Sequence, residues 1–446
     1  MSKGIGAIRS DEAQTLLAPL RRFGTLVLAV SGGPDSLALM VLAAEWRAGL
    51  ASKAPAIRVA TVDHKLRPQA AGEAEAVAGM AAACGLPHTT LEWMDVKPAT
   101  GLINAARDAR YRLLGVYAAS LAVAGPVAIV TAHTEDDQAE TFLMRLARGA
   151  GAEGLSAMAG ARPLEEGSGL ELVRPLLGIS KARLIATLEA RGLAWIEDPT
   201  NAAVKYERVR IRGLIERLED AGLTRHAIAT SARRLGDARA ALKYATAAFE
   251  GTLAVSYNDD VFAALARPAF DQGPAILRQR VLAGLIDRFG GASPAPELAE
   301  VEALAGRLAR DQTMQATLGG AVVSANPQSI RIWREVGRIG VGEVSLSPGT
   351  RTLWDQRFWV SALDGAAGPV EVRPLGHRGL AQVRNEAQDR PNLWTGSPAD
   401  ALAALPSFWD GGTLLAVPPL LAGETPNGAA GPPENPMFLA VPRYGS

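Results

Sequence analysis

One cysteine, Cys84, stands in 446 residues. A lone thiol excludes an internal disulfide, a four-cysteine zinc site and dithiol chemistry within the chain, and it fits a reducing compartment, so a cytoplasmic protein is expected. No apolar stretch is long enough to read as a membrane span. The longest uncharged run, Leu113 to Thr134, is broken by Gly125-Pro126 and reads as helix, turn and buried strand. The start, Met1-Ser2-Lys3-Gly4, lacks an apolar signal core, and no membrane partner is expected. Nor is there an excess of either charge. Lys plus Arg and Asp plus Glu both number 46, so affinity for a polyanion has to come from uneven placement. Between 174 and 240 the placement is uneven, with 13 Lys or Arg against 8 Asp or Glu.

What is present is more specific. The run Thr25-Leu26-Val27-Leu28-Ala29-Val30 leads into Ser31-Gly32-Gly33-Pro34-Asp35-Ser36 and then into the helical pattern Leu37 to Leu42. This predicts a strand, a glycine turn and a helix. Two glycines let backbone approach a ligand closely, Pro34 presets φ for a first helical turn, and the free N–H groups at a helix start attract phosphate. A Walker loop would end in Gly-Lys-Ser/Thr, and here Asp35-Ser36 stands in that place, so the usual phosphate lysine is missing. The segment resembles the PP-loop of enzymes that cleave ATP between its α- and β-phosphates, with Ser31, Gly32, Gly33, Pro34, Asp35 and Ser36 as the nucleotide-binding residues.

Up to about residue 215 β-branched runs alternate with helical periodicity. Ile57 to Asp63 predicts a strand, Ala70 to Ala83 a helix and Val127 to Ala132 another strand ending at His133. The alternation predicts a doubly wound parallel sheet with its ligand beyond the carboxyl ends of the strands, where Ser31, Asp63-His64 and His133 fall. From 206 to 310 strand signals are sparse and Thr230 to Phe249 and Glu297 to Leu308 have helical spacing. Beyond 311 short runs such as Ala321 to Ser324 and Ser329 to Trp333 lie between Gly and Pro. The fold class expected is therefore α/β: a Rossmann-like catalytic domain over 1–215, a helical domain over 216–310 and a small, mostly β domain over 311–446. Gly365 to Pro369 and Gly423 to Pro436 read as loops.

A second chemical segment, His133-Thr134-Glu135-Asp136-Asp137-Gln138-Ala139-Glu140-Thr141, leaves a strand and opens a helix. Asp136 and Glu140, four apart, share a face, while Thr134 and Asp137 have the spacing of an N-capping box. Beside a phosphate loop these carboxylates suit a magnesium ion (Mg2+) or a substrate ammonium, and His133 suits a hydrogen bond to a nucleotide or carboxylate. Arg145, Arg148 and the strip Lys205 to Arg212 suit the phosphates of a polynucleotide; the alternatives are a helix C-terminus for Arg145 and Arg148 and a solvated face for the strip. His88, His226 and His377 suggest no chemistry.

Six segments in order, Ser31 to Ser36, Val62-Asp63-His64, Ala106 to Tyr111, His133 to Thr141 with Arg148-Gly149, Arg174-Pro175-Leu176-Leu177 and Trp195 to Asn201, resemble those of the bacterial tRNA(Ile)-lysidine synthetase family. Leu353 to Phe358 and Phe408-Trp409-Asp410 extend the likeness into the tail. The chain departs from that pattern at Lys65, where relatives tend to have glycine, and at Val209, within a segment that often reads Arg-Asn-x-Ile-Arg. The resemblance implies ATP-dependent attachment of free L-lysine to the wobble cytidine of the isoleucine tRNA with a CAU anticodon. It implies that Asp35, Asp136, Asp137, His133 and Glu140 form the catalytic group, with metal on Asp35 and Asp137, the lysine ammonium on Glu140 and tRNA phosphate on Arg110, Arg145, Arg148 and Arg208. A homodimer is left open. Rival readings are a PP-loop tRNA thiolase, against which the single cysteine counts, a small-molecule amide ligase and a noncatalytic RNA-binding protein.

Overall fold

A computed structural model describes residues 6–50, 54–122, 125–164, 168–197, 207–337, 341–363, 366, 368–386, 396–418 and 438–444. They fall into two compact units, 1–240 and 241–446. Asp198 to Asn201 of the segment Trp195 to Asn201, residues 205 and 206 of the basic strip, and the expected loop at 423–436 lie outside the described residues.

In the first unit six strands form one sheet. They are β1 (Thr25–Ala29), β2 (Ala56–Asp63), β3 (His88–Glu92), β4 (Val127–Val130), β5 (Ala161–Pro163) and β6 (Glu171–Val173), in the spatial order β3-β2-β1-β4-β6-β5. Every neighbouring pair is parallel except β5 with β6. A strand covered on both faces carries a continuous apolar run, and β1 is buried at all five positions. Its even residues Leu26 and Leu28 pack with α1 (Ser10–Leu17), α2 (Pro34–Ala48), α3 (Ala70–Ala83) and α7 (Lys181–Glu189), while Val27 and Ala29 face α4 (Leu102–Ser120). From β1 the chain steps outward to β2 and β3, then returns across β1 to β4. The reversal opens a crevice between the carboxyl ends of β1 and β4, the switch point at which such sheets take ligands.

Three further helices close the unit around α5 (Glu135–Leu146): the short α6 (Ala152–Leu155), α8 (Glu207–Asp220) and the first part of α9 (Arg225–Thr252). Ala139, Leu143, Ile215 and Ile228 join α5, α8 and α9 in a small apolar cluster.

The second unit is built from antiparallel sheets and helices. Phe262–Ala266, Met314–Leu318, Ala321–Ala325 and Ser329–Arg334 make a four-stranded sheet, packed by the helices Ala275–Gly290 and Leu298–Arg310. Phe262–Ala266 corrects the helical reading of its segment. Phe-Ala-Ala-Leu-Ala has no β-branched residue and reads as helix by composition; tertiary pairing with Ser329–Trp333 imposes the strand. A four-stranded and a three-stranded sheet follow, with Gly376–Glu386 and Ala399–Ala403 as helices among them. The tail motif Leu353 to Phe358 closes the hairpin between Thr350–Trp354 and Phe358–Ala362, with Asp355 and Gln356 at φ +50° and +55°.

Asp355 sits there between two buried arginines. Arg334 donates to both its carboxylate oxygens at 2.9 Å and Arg357 to Oδ2 at 2.7 Å, and all three side chains are at most 5% exposed. The guanidiniums also donate to the Gly320 and Ala404 carbonyls. Removing the shared acid leaves two buried cations uncompensated, so Asp355→Ala is expected to lower stability by about 3–5 kcal/mol in chemical denaturation of the full chain. A loss under about 1 kcal/mol would show that the arginines find other partners.

Candidate active site

The loop after β1 is tied by its own serines. Ser31 N donates to Ser36 Oγ at 3.1 Å, and Ser36 Oγ donates to the Gly33 carbonyl at 3.0 Å. Gly33 caps α2 in an extended conformation with Pro34 at the first helical position, as the sequence predicts. Gly32, at φ +85°, cannot be replaced without strain: a Cβ there would lie 2.5 Å from Ile196 Cδ1. Its carbonyl accepts the Ile196 amide at 3.0 Å, which brings the segment preceding 198 over the loop.

Asp35, one turn into this arrangement, is 27% exposed at its side chain, yet its Oδ1 is buried and has no hydrogen-bond partner among the described residues. Burial pushes its carboxyl up to about 6; Asp137 and Asp136 push the same way, and Lys181, with Nζ 3.9 Å from Oδ2, opposes them. The acids of α5 are each held from another direction. Thr134 and Asp137 form the capping box, with Asp137 Oδ2 accepting from Thr134 N at 2.9 Å. Asp136 accepts the Lys181 amide at 2.8 Å and faces Arg225 at 3.4 Å. Glu135 meets His226 Nδ1 at 2.6 Å. Glu140, 3% exposed, is held by Arg212 at 2.5 Å; burial drives its carboxyl up and the guanidinium offsets part of that rise. His133 is pulled down to about 4 by burial, against the attraction of Asp137, so it is neutral at pH 7 with Nδ1 2.9 Å from the Thr131 hydroxyl.

Beside this cluster, a cavity of about 420 Å3 opens over the ends of β1 and β2, lined among others by Ser31, Thr61, Val62, His64, Arg67 and Arg110. His64 Nδ1 is buried there with no partner among the described residues, and burial pulls its imidazole below the usual range. Burial also lowers Arg110. Asp63 is kept out of the cavity chemistry by Lys65. Despite the cost of burial it stays below the usual carboxylate range, because the Lys65 amide donates to Oδ1 at 2.8 Å and the ammonium pairs with Oδ2 at 3.0 Å and with Glu92 at 2.6 Å.

The structure thus gathers Ser31 to Ser36, His133, Asp136, Asp137 and Glu140 around one crevice and puts Arg110 at its rim. It does not bring Arg145 and Arg148 there. Arg145 donates through Nη1 to the Gly154 and Ala157 carbonyls, bracing α6, and Arg148 is an exposed partner of Glu207 at 2.6 Å. Arg208 lies in the first turn of α8, one helical turn before Arg212. Lys181 and Arg225 are cations that sequence reasoning did not single out, and Arg212, expected on polynucleotide phosphate, pairs with Glu140; they reach the site from α7, α9 and α8, and only folding sets them opposite the acids. Among the described residues no group of three or more His, Cys, Asp or Glu is placed to hold a metal. A magnesium ion needs only one or two protein carboxylates beside substrate phosphates, and Asp35 Oδ1, without a partner among the described residues, is a donor of that kind.

A glycine phosphate loop on the switch point of a parallel sheet defines a PP-loop ATP-binding enzyme, and the family model described as a PP-loop domain matches residues 8–218. The chain is 44% identical over 352 residues to a tRNA(Ile)-lysidine synthase of Bradyrhizobium sp., covering 73% of this chain and 94% of that protein. It is 38% identical over 415 residues to the tRNA(Ile)-lysidine synthase of Ruegeria pomeroyi, covering 92% and 91%. Among solved structures, the U34-tRNA thiolase NcsA of Methanococcus maripaludis with its [4Fe-4S] cluster aligns with 50% of this chain and 78% of its own, at 15% identity and a TM-score of 0.43. The chain belongs to the tRNA(Ile)-lysidine synthase family, whose members are ligases.

Because folding raises the Asp35 pKa, its ionisation opposes folding, beginning near the unfolded value of about 4 and in full above about 6. Asp35→Asn is therefore expected to stabilise the ligand-free protein by about 1–3 kcal/mol at pH 7, with the gain fading as pH falls from 6 toward 4. Thermal melts across pH 4–8 check this, and a gain independent of pH would refute the charge explanation.

Proposed function

We propose that this chain attaches free L-lysine to C2 of the wobble cytidine in the CAU-anticodon isoleucine tRNA, through an adenylated cytidine. The observation that carries the reading is the juxtaposition of the Ser31 to Ser36 loop with Asp35 Oδ1 and the α5 acids, in a chain largely collinear with the lysidine synthases it resembles. In this reading the 420 Å3 cavity takes the adenosine, with the unpaired His64 Nδ1 and Arg110 at its polar edge, and the serine-tied loop takes the phosphates. The cytidine O2 bonds to the α-phosphorus, and the bond to the α,β-bridging oxygen breaks, its electron pair leaving with pyrophosphate. The ε-ammonium of the lysine gives a proton to an α5 carboxylate, the freed amine bonds to C2, and the C2–O bond breaks with its electron pair leaving on AMP.

Both steps need positioning and charge neutralisation rather than a protein nucleophile. Asp35 and Asp137 would hold magnesium, which when bound supplies charge neutralisation on the phosphates. Asp137 uses only Oδ2 in the capping box and has Oδ1 to offer. The wall of Asp137, Glu140 and Arg212 suits an amino acid, with acids for the ε-ammonium and a guanidinium, 40% exposed at its side chain, for the carboxylate. His133, neutral at pH 7, serves as a hydrogen-bond partner that adds no charge. On the tRNA side we place Arg208, with Arg148 available once Glu207 is displaced; Arg110, expected there from the resemblance, lines the nucleotide cavity instead, and Arg145 is committed to backbone carbonyls. We further propose that the first unit, 1–240, carries the chemistry, since α8 and the first part of α9 hold its acids, and that the chain beyond 240 grips the tRNA body.

The test is AMP formation from radiolabelled ATP, with lysine and a CAU-anticodon isoleucine tRNA transcript added singly and together. Lysine incorporation that requires both is the expected result, and AMP formed without tRNA would favour a small-molecule ligase. In the same assay Asp35→Ala is expected to abolish AMP release while tRNA affinity changes less than about twofold; equal loss of both would remove Asp35 from the chemistry.

A further inference from the structure

The phosphate loop lacks the lysine that a Walker loop carries at its end, and Asp35 stands in its place. The fold returns a lysine to that spot from 146 residues further along the chain. Lys181 opens α7, and two hydrogen bonds fix the start of α7 against the start of α5: Glu135 N donates to the Ile179 carbonyl at 2.9 Å, and Lys181 N donates to Asp136 Oδ2 at 2.8 Å. Ser180, at the N-cap, makes no side-chain cap bond, so the Asp136 carboxylate does that work from another helix. With its backbone so held, the Lys181 side chain points at the loop and leaves Nζ 3.9 Å from Asp35 Oδ2, with 42% of the side chain exposed.

That distance lies beyond hydrogen-bond reach. A surface ion pair of this length contributes little to stability, so the ammonium is poorly explained as a structural brace. It is a compact charge on a flexible stem, with donors to spare, beside a loop built for phosphate.

We infer that Lys181 is the phosphate-binding lysine of this site, contacting the β- and γ-phosphates of ATP and neutralising the charge that gathers on pyrophosphate as the α-phosphorus to bridging-oxygen bond breaks. No proton has to move for this role. Asp136 then serves by fixing where α7 begins, which sets the reach of the lysine. The inference deepens the proposed function at its nucleotide step and rests on ATP occupying the loop.

The test is calorimetric titration of the full-length protein with magnesium and either α,β-methylene-ATP or AMP, without tRNA or lysine, so its outcome does not depend on whether the ligation reaction is correct. Lys181→Ala is expected to weaken the triphosphate analogue roughly 10- to 100-fold, the usual range for losing a charge-assisted contact, while AMP affinity stays within about twofold. Lys181→Arg should recover most of the loss. Equal weakening of both nucleotides, an unchanged affinity for the analogue, or no binding of the analogue by the unaltered chain would overturn the assignment.

Discussion

Carboxylates crowded at one end of a sheet repel one another, and the first unit is organised around relieving that repulsion. Glu135, Asp136, Asp137 and Glu140 occupy the first turns of α5, where the helix dipole accommodates only part of their charge. The four are answered from several elements: α9 supplies His226 to Glu135 and Arg225 to Asp136, α7 adds the Lys181 amide to Asp136, α8 brings Arg212 to Glu140, and the Thr134 cap takes Asp137. These ties orient three helices on the catalytic side of the sheet. Their number gives the acidic segment a structural role beside the chemical one proposed for it.

Asp35 is the acid this arrangement does not satisfy. Among the described residues its Oδ1 is buried without a partner, and the nearest cation stands too far away to bond. Natural proteins keep such a group where function requires it, because a ligand that pairs with it recovers the cost of leaving it unpaired. A nucleotide arriving with its metal would supply what the protein has left out, and binding would tighten the site as well as fill it. The neighbouring groups fit the same logic: a neutral His133 and an unpaired His64 add hydrogen-bonding capacity without adding charge.

The glycine loop, the parallel sheet and the capping box were legible because each is written within a few consecutive residues. Gly33 and Pro34 specify the start of α2, and Thr134 with Asp137 specifies the start of α5. The partners of the acids were not legible, because Lys181, Arg212 and Arg225 approach from helices whose placement depends on packing. Arg145 and Arg148 show the converse. Their charge suggested phosphate, yet one braces the backbone around α6 and the other pairs with Glu207 across the α5–α8 contact. In the second unit Phe262–Ala266 is a strand only because Ser329–Arg334 pairs with it, information that no local window contains.

Lys65 carries a consequence for how this sequence can change. It holds a left-handed φ of +53°, a conformation glycine adopts freely and a long side chain adopts at a cost. What offsets that cost is a pair of acids, Asp63 on β2 and Glu92 on β3, both bound by the same ammonium. The three positions therefore form a ratchet. Once lysine occupies the turn, losing either acid leaves the strain less compensated, and reverting to glycine strands a buried Asp63 without its counter-charge. Changing the turn residue without loss therefore requires changing the acids with it, so one bend couples the carboxyl ends of two neighbouring strands.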